Sequence, residues 1–453
     1  EWGVRLPQAI FGLLAPLILF LLVYRTSRVA VLAFFCAFAL ALMPWHIHYS
    51  RVAFEVIIML DLILLGTLLF LKNRFIPSAL CFALSLYTYS TAALFVPLLI
   101  ITLFLFTRAR PHRFSIPVFI LVLLPFIGNL ITGHASDRFG LLSVFNSPEL
   151  IKSINSLRVQ DASSLAPFWH NKIETYSRSL LDNYLRAYSS EFLFVRGDPV
   201  YRHSIQVIGQ LLPITAPLVL LGLWYLANRR QWLWLSWFVL APLPAILTAD
   251  GGFHATRLFL TVPPLAVATG AGLYQLIRII PKKATLPLLV IYSFLFVFQF
   301  AWVAHYYLIH YSQDSWRWWH VGYKSAMQQL AGQADNYGRV FINNSYEPSL
   351  IRFLFWTAYP PAKFHSQFVI DQPQDNIAPN YNGFSLDGKY FFGNFNKSNW
   401  TEFLLPNSLY LISQRDNVAG DWDWRKTPPD NIRVLHASIN AFDEPILYLI
   451  TKK

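Results

Sequence analysis

Charge is what this chain has least of. Only 13% of its 453 residues are Asp, Glu, Lys or Arg, where a soluble domain carries about 25%. That scarcity argues against a wholly water-soluble protein. Cysteine is nearly absent. Cys36 and Cys81 are the only two, both lie inside apolar stretches, and neither belongs to a Cys-x-x-Cys or a zinc-type spacing. A disulfide framework is thereby excluded, and the two thiols read as inert buried groups. Phosphate-loop, nucleophile-elbow and metalloprotease signatures are missing too, so soluble nucleotide or serine-hydrolase chemistry has no support. No internal repeat is visible, which weighs against many secondary transporters. No cleavable signal peptide is visible either. Residue 1 is Glu, and the expectation is a chain that has lost an N-terminal segment.

What is present is apolar. Hydrophobic residues make up 55% of the chain, and the mean hydropathy is +0.41. About ten apolar stretches stand out: 7–24, 29–45, 55–71, 75–88, 91–107, 115–131, 205–227, 232–248, 258–278 and 285–305. Most approach the roughly 20 residues that a helix needs to cross a bilayer. The turns between them alternate. Arg25–Arg28, Lys72–Arg74, Arg108–Arg113, Asn228–Arg230 and Arg278–Lys283 are basic. The intervening turns are not, and they carry the polar chemistry. Basic turns face the cytoplasm, which puts Trp45–Glu55, the 132–204 loop, Thr248–Arg257 and the chain after Trp316 outside. The same rule places residues 1–7 outside. The net charge of +12 is therefore topology and not a nucleic-acid stripe. Gly270 and Gly272, with Ala268 and Ala271, form a small-residue face for close helix packing.

The expected fold is an α-helical polytopic membrane protein of about ten transmembrane helices with a small α/β extracytoplasmic C-terminal domain. The membrane domain covers residues 1–305. Its long outer loop, 132–204, carries helical patches at Pro148–Leu157 and Ile173–Tyr188 that suit amphipathic interfacial helices. Residues 306–453 form the outer domain. There, turns rich in Pro, Asn and Asp separate β-like runs at Arg339–Ile342, Ser408–Ile412, Ile432–His436 and Ile446–Ile450, with helical patches at Tyr323–Leu330 and Pro348–Trp356.

Three outer clusters could carry chemistry. In Pro44-Trp45-His46-Ile47-His48-Tyr49-Ser50-Arg51-Val52-Ala53-Phe54-Glu55, Arg51 and Glu55 are four apart and would share a helix face. Ionisable groups at a membrane surface are costly unless they do something. Arg51 and His48 suit an anion, and Glu55 suits an acceptor hydroxyl; the bland alternative is a structural ion pair. Asp61, deeper in the next span, reads as packing. In Thr248–Arg257, two glycines permit a tight turn. Asp250, His254 and Arg257 then sit where a helix begins and its amides could bind phosphate. Capping by Asp250 and snorkelling by Arg257 are the alternatives. The third cluster, Arg196–His203, offers Asp198, Arg202 and His203 beside a turn; headgroup contact explains it equally well.

These motifs carry a family resemblance. Glu1-Trp2-Gly3-Val4-Arg5-Leu6-Pro7-Gln8-Ala9-Ile10-Phe11-Gly12 resembles the Arg-Leu-Pro segment that opens the second transmembrane helix of lipid-carrier-dependent glycosyltransferases. These belong to the GT-C superfamily, which includes protein O-mannosyltransferases and the aminoarabinose transferases of lipid A. Pro44–Glu55, Gly197–His203, Asp250–Arg257 and Trp319–Leu330 followed by Ser345–Tyr359 resemble further segments in the same order. The resemblance implies an inverting transfer of a hexosyl or pentosyl group from a polyprenyl-phosphate carrier. The acceptor would be a lipid, glycan or protein at the outer face of a bacterial plasma membrane. It also implies that the main catalytic Asp lies in an outer loop upstream of Glu1. Glu55 would orient the acceptor or help a divalent metal ion. His48, Arg51, Asp198, Arg202, His203, Asp250, His254 and Arg257 would bind substrate. A transporter or flippase for a lipid-linked sugar, or a non-catalytic envelope assembly protein, are the competing readings.

Overall fold

The chain is described here from a computed structural model, which covers residues 2–107, 115–131, 140, 142–161, 163–368, 373–416 and 423–453. The basic turn Arg108–Arg113 and the start of the long loop lie outside the described residues. Two compact units divide the chain, Glu1–Leu308 and Ile309–Lys453.

The first unit is helical. It opens with α1 (Trp2–Ser27), α2 (Ala30–Ala41), α3 (Pro44–Arg51), α4 (Val56–Leu71), α5 (Phe75–Thr88), α6 (Ala92–Thr107) and α7 (Ser115–Ile131). Helices Pro148–Asp161 and Lys172–Ala187 follow, then Ala216–Asn228, Trp232–Leu240, Val262–Ile279 and Lys282–His305. Among the described residues, three helical stretches are long and apolar enough to cross a membrane: Trp2–Ser27, Phe259–Ile279 and Lys282–Asp314. Together α2 and α3, bent by 58°, make a fourth if counted as one span. Several other apolar helices are shorter. The 16 residues of α4 reach about 24 Å, short of a hydrocarbon core of about 30 Å. Each of the ten expected stretches contains apolar helix, and among the described residues three helical stretches meet the length of a full span.

Proline explains two departures. The stretch expected as a span from 205 becomes helical only at Pro213–Thr215, followed by Ala216–Asn228. Ile205, Ile208, Leu211 and Leu212 are buried, but in a non-helical segment. The stretch 232–248 breaks after Leu240, and Pro242 starts a separate short turn at Leu243–Ile246. A ring at these positions removes an amide and fits only a first turn.

Close packing of the last helices depends on the small-residue face. A methyl group on Gly270 would lie 2.4 Å from the backbone nitrogen of Cys36 in α2. On Gly272 it would lie 1.9 Å from the carbonyl oxygen of Leu218. Backbones can touch at these points only because no side chain intervenes.

The second unit is a seven-stranded mixed sheet in the order β2-β3-β4-β1-β5-β7-β6. The strands are β1 (Arg339–Asn343), β2 (Gln374–Ala378), β3 (Tyr381–Leu386), β4 (Tyr390–Phe395), β5 (Ser408–Ser413), β6 (Ile432–Ile439) and β7 (Pro445–Lys452). Central β1 pairs in parallel with β4 and β5; the outer pairs are antiparallel. Alternation along the strands serves two cores. Val340, Ile342, Leu409, Leu411 and Leu449 pack with Met327 and Leu330 of Tyr323–Gln333 and Phe353 of Leu350–Trp356. Phe341, Tyr410, Ile412 and Tyr448 face Trp400 and Trp424.

Candidate functional site

Three segments distant in sequence assemble one polar cluster in the first unit: α3, the loop 196–212 and the turn 248–258. Aromatic packing fixes α3. The Trp45 ring stands edge-on to Phe192 and Phe259, with centroids 5.4 and 5.9 Å away. Tyr49 stacks on Phe259 at 4.7 Å, and its hydroxyl bonds that of Thr256 at 2.8 Å. The loop is tied down by its backbone. Leu211 donates its amide to Leu193 at 2.7 Å, and Trp45 donates to Gln210 at 3.2 Å. In the turn, a methyl group on Gly251 would lie 1.8 Å from the Ala245 carbonyl oxygen. The glycine is thus needed for close approach to the neighbouring turn.

Asp198 is the hub. It is 2% exposed. Its Oδ1 accepts the Val200 amide at 2.8 Å; its Oδ2 accepts the Ala255 amide at 2.8 Å and His203 Nδ1 at 3.2 Å. One carboxylate therefore joins the loop to the turn. It also uses an amide that the sequence offered to a phosphate. The expected helix start at His254 is displaced as well: residues 255–258 are turns, and helical structure begins at Phe259.

The tautomers follow from the partners. A carboxylate can only accept, so His203 carries a proton on Nδ1, which leaves Nε2 turned away from Asp198. His48 Nε2 bonds the Arg202 carbonyl at 2.9 Å and must donate, so Nδ1 accepts from the Tyr307 hydroxyl at 3.0 Å. Both His48 nitrogens are thus occupied. His254 Nδ1 is buried without a hydrogen-bond partner. Burial foremost, then the charges of Arg257 and His203, hold the His254 imidazole down to about 4, so it is neutral near pH 7. The rings of His203 and His254 lie 4.8 Å apart, centre to centre.

Asp198, His203 and His254 could hold a metal ion, because one ligand atom from each lies within 4.8 Å of the others. A tetrahedral site with bonds of about 2.1 Å needs ligand atoms roughly 3.4 Å apart, so the group would have to tighten on binding. One carboxylate and two imidazoles suit a borderline divalent ion such as zinc. His254 Nδ1, buried without a hydrogen-bond partner, fits that role. The competing role of Asp198, orienting His203 and satisfying two amides, is already filled and needs no ion.

The other expected residues are placed as follows. Arg257 is 11% exposed at its side chain; its Nη1 donates to Thr248 Oγ1 at 2.8 Å and to the Asp250 carboxylate. Asp250 lies mostly in solvent, with a side chain 62% exposed. Arg202 contributes its carbonyl to His48. The guanidinium of Arg51 lies over the Tyr307 ring, 5.0 Å from its centre. Arg51 and Glu55 do not share a helix face, as their spacing suggested. The helix ends at Arg51, and Val52 is extended at φ −94°, ψ 153°. Glu55 is exposed and precedes α4 without capping it. Asp61 is buried, with no partner on either carboxylate oxygen.

No signal in the sequence points to Tyr307, and Tyr49 has only its place among the polar residues of α3. Asp198 is visible as one of the Arg196–His203 cluster but not as the hub.

An apolar cavity of about 520 Å³ lies in the same unit. Phe38, Leu273, Phe296 and Phe300 line it, and so do Met43, Pro44, Leu211 and Leu212. The last four adjoin the segments that bear the polar cluster. Set against models of protein families, against curated proteins and against solved structures, the chain matches none.

Proposed function

We propose that this chain is an integral-membrane glycosyltransferase that moves a sugar from a polyprenyl-phosphate carrier to an acceptor at the outer face of the membrane. The observation that carries the reading is the continuity of two environments. A cavity lined by Phe38, Phe296 and Phe300 also takes in Met43, Pro44, Leu211 and Leu212, which stand at the start of α3 and at the end of the 196–212 loop. These two segments are tied together by the Trp45–Gln210 and His48–Arg202 hydrogen bonds beside the Asp198–His203–His254 cluster. An amphiphile with a long apolar tail and an anionic head suits that pairing. In the transfer, the acceptor oxygen bonds to the anomeric carbon as the bond from that carbon to the phosphate oxygen breaks. The acceptor proton goes to a general base. The leaving phosphate gains negative charge. Arg257 and a neighbouring imidazole N–H are suited to stabilise it electrostatically. A divalent ion on Asp198, His203 and His254 would add positive charge there.

The test is sugar transfer by the complete protein from carriers of decreasing tail length. Transfer should fall steeply for a donor with the same phosphosugar but a tail of a few carbons. The reading fails if no carrier supports transfer, or if tail length has no effect.

One observation favours the transporter reading. Asp61 is a carboxylate without partners in an apolar helix, and such groups occur in proton relays. Movement of a labelled lipid-linked sugar across vesicles, without transfer to an acceptor, would support it.

A further inference from the structure

The second cluster of chemistry in the helical unit lies at the opposite end of its helices. Phe259–Ile279 has 21 residues, which at about 1.5 Å each span roughly 30 Å. His254 precedes one end of this stretch and Arg278 stands at the other. Around Arg278 a cavity of about 250 Å³ opens, lined by Thr26, Ser27, Tyr225, Arg229, Tyr274 and Arg278 among others.

Its construction is twofold. On Ala216–Asn228 and the residue after it, the Arg229 guanidinium lies over the ring of Tyr225, four residues earlier, at 5.8 Å. On the packed helix Val262–Ile279, Arg278 lies over Tyr274, also four residues earlier, at 5.4 Å, with Nη1 3.3 Å from the Tyr274 hydroxyl. The two tyrosine rings meet edge to face at 5.8 Å. Two guanidiniums are therefore held against a shared aromatic floor and border one cavity. Among the described residues no Asp or Glu lines it.

Three helix C-termini lie here, those of α1, Ala216–Asn228 and Val262–Ile279, and cations favour such ends. Each contributes only about half a negative charge, so two guanidiniums still leave the pocket positive. Dipole compensation alone does not account for a polar cavity between them. Guanidinium forks match phosphate oxygens, and basic pockets between helices at a membrane surface take lipid headgroups.

We infer that this pocket binds a phosphate group, supplied by the headgroup of an anionic phospholipid in the leaflet opposite the Asp198 cluster. The inference needs only that the helices lie in a membrane; it stands or falls independently of sugar transfer. The lipid phosphate bridges Arg229 and Arg278; the neighbouring Thr26 and Ser27 hydroxyls already donate to the Val23 carbonyl. Its acyl chains remain in the surrounding bilayer. Bound there, the lipid ties the α1 end to the two packed helices and stabilises the unit.

The experiment uses the full chain in a non-ionic detergent. Its thermal unfolding midpoint is measured with added dioleoylphosphatidylglycerol, dioleoylphosphatidylcholine or inorganic phosphate. Phosphatidylglycerol should raise the midpoint by several degrees and phosphatidylcholine by much less. Most of the gain should vanish in the R229Q/R278Q double variant and persist in R415Q, a change in the other unit. A gain with inorganic phosphate equal to that with phosphatidylglycerol would keep the anion site but assign it to free phosphate. Equal gains in the wild type and the double variant would overturn the proposal. Should the double variant not fold, salt decides on the wild type. Raising it from about 0.1 M to about 1 M shortens the screening length from roughly 10 Å to 3 Å, so the gain must shrink. A gain indifferent to salt overturns the site.

Discussion

Arg257 is a largely buried guanidinium with only part of its fork committed. Its Nη1 bonds Thr248 and Asp250, and no bond from Nε or Nη2 is found among the described residues. A group fixed in this way is preorganised for a developing anion. In the complete protein, Arg257→Ala should lower turnover about 100-fold, the scale seen when one such donor is removed. Arg257→Lys should recover only part, because lysine keeps the charge and loses the planar fork. Sugar transfer normalised to the amount of protein in the membrane reads both; near-normal turnover in Arg257→Ala would reduce the residue to a headgroup anchor. The metal question is decided one side chain at a time. His203→Ala and His254→Ala should each weaken Zn²⁺ binding by about 10-fold or more, as losing a supporting or direct ligand does. His48→Ala should not, because both of its nitrogens are already bonded. Calorimetric titration of the solubilised protein measures this, and identical affinities in all three would leave Asp198 a purely structural hub. His254 and Arg257 were legible as sequence because short polar runs between apolar stretches stand out. Tyr307 was not. It sits at the end of a helix, more than 250 residues beyond its partner His48, and only the fold brings the two together. Asp198 was legible as a member of its cluster but not as its hub, because that depends on the Ala255 amide, 57 residues further along the chain.

Among the elements, the small-residue face of Val262–Ile279 makes the sharpest claim. Gly270→Ala places a methyl group against the backbone of Cys36. Backbone cannot swing aside as a side chain does, and overpacking of this kind costs about 1–3 kcal/mol. Gly332→Ala is the contrast. It lies in the helix Tyr323–Gln333 with nothing within 4 Å of the added carbon, and the better helix former should gain about 0.5–1 kcal/mol. Thermal unfolding of the two variants should move in opposite directions, and equal shifts would show that helix propensity rather than packing governs Gly270. The same contrast explains which elements could be read from sequence. Strands β5 and β7 are buried along nearly their whole length, so their apolar runs were evident. Strands β2, β3 and β4 are not among the β-like runs the sequence shows, because Asn, Gln and Gly punctuate them. In fact Gly383 and Gly393 sit opposite each other, where a methyl group on Gly383 would meet the Phe392 carbonyl oxygen at 2.0 Å. Their glycines permit pairing rather than end it. The segment 205–212 failed the other way. It is apolar enough for a span, but it is buried as a non-helical strap under α3.

For the whole molecule, the alternation of basic and polar turns makes a single claim about sidedness. Arg230 and Lys282 stand at one set of helix ends, and Asp250 at the other. The second unit follows Lys282–His305, a 24-residue helix long enough, at about 36 Å, to carry the chain across. The second unit should therefore share the side of Asp250. Cysteines placed at Arg230, Lys282, Asp250 and Lys397, all exposed positions, report this directly. The native thiols interfere little, since Cys36 is buried and Cys81 is partly covered within α5. In intact cells a membrane-impermeant maleimide should label positions 250 and 397 and leave 230 and 282 unlabelled until the membrane is opened. Retention of positive turns in the cytoplasm is the physical cause. Labelling of 250 and 230 from the same side would break the scheme. It would also separate the Asp198 cluster from an outer-face donor, because that cluster shares the turn of Asp250. Labelling of 397 together with 230 would leave the cluster where it is and move only the second unit.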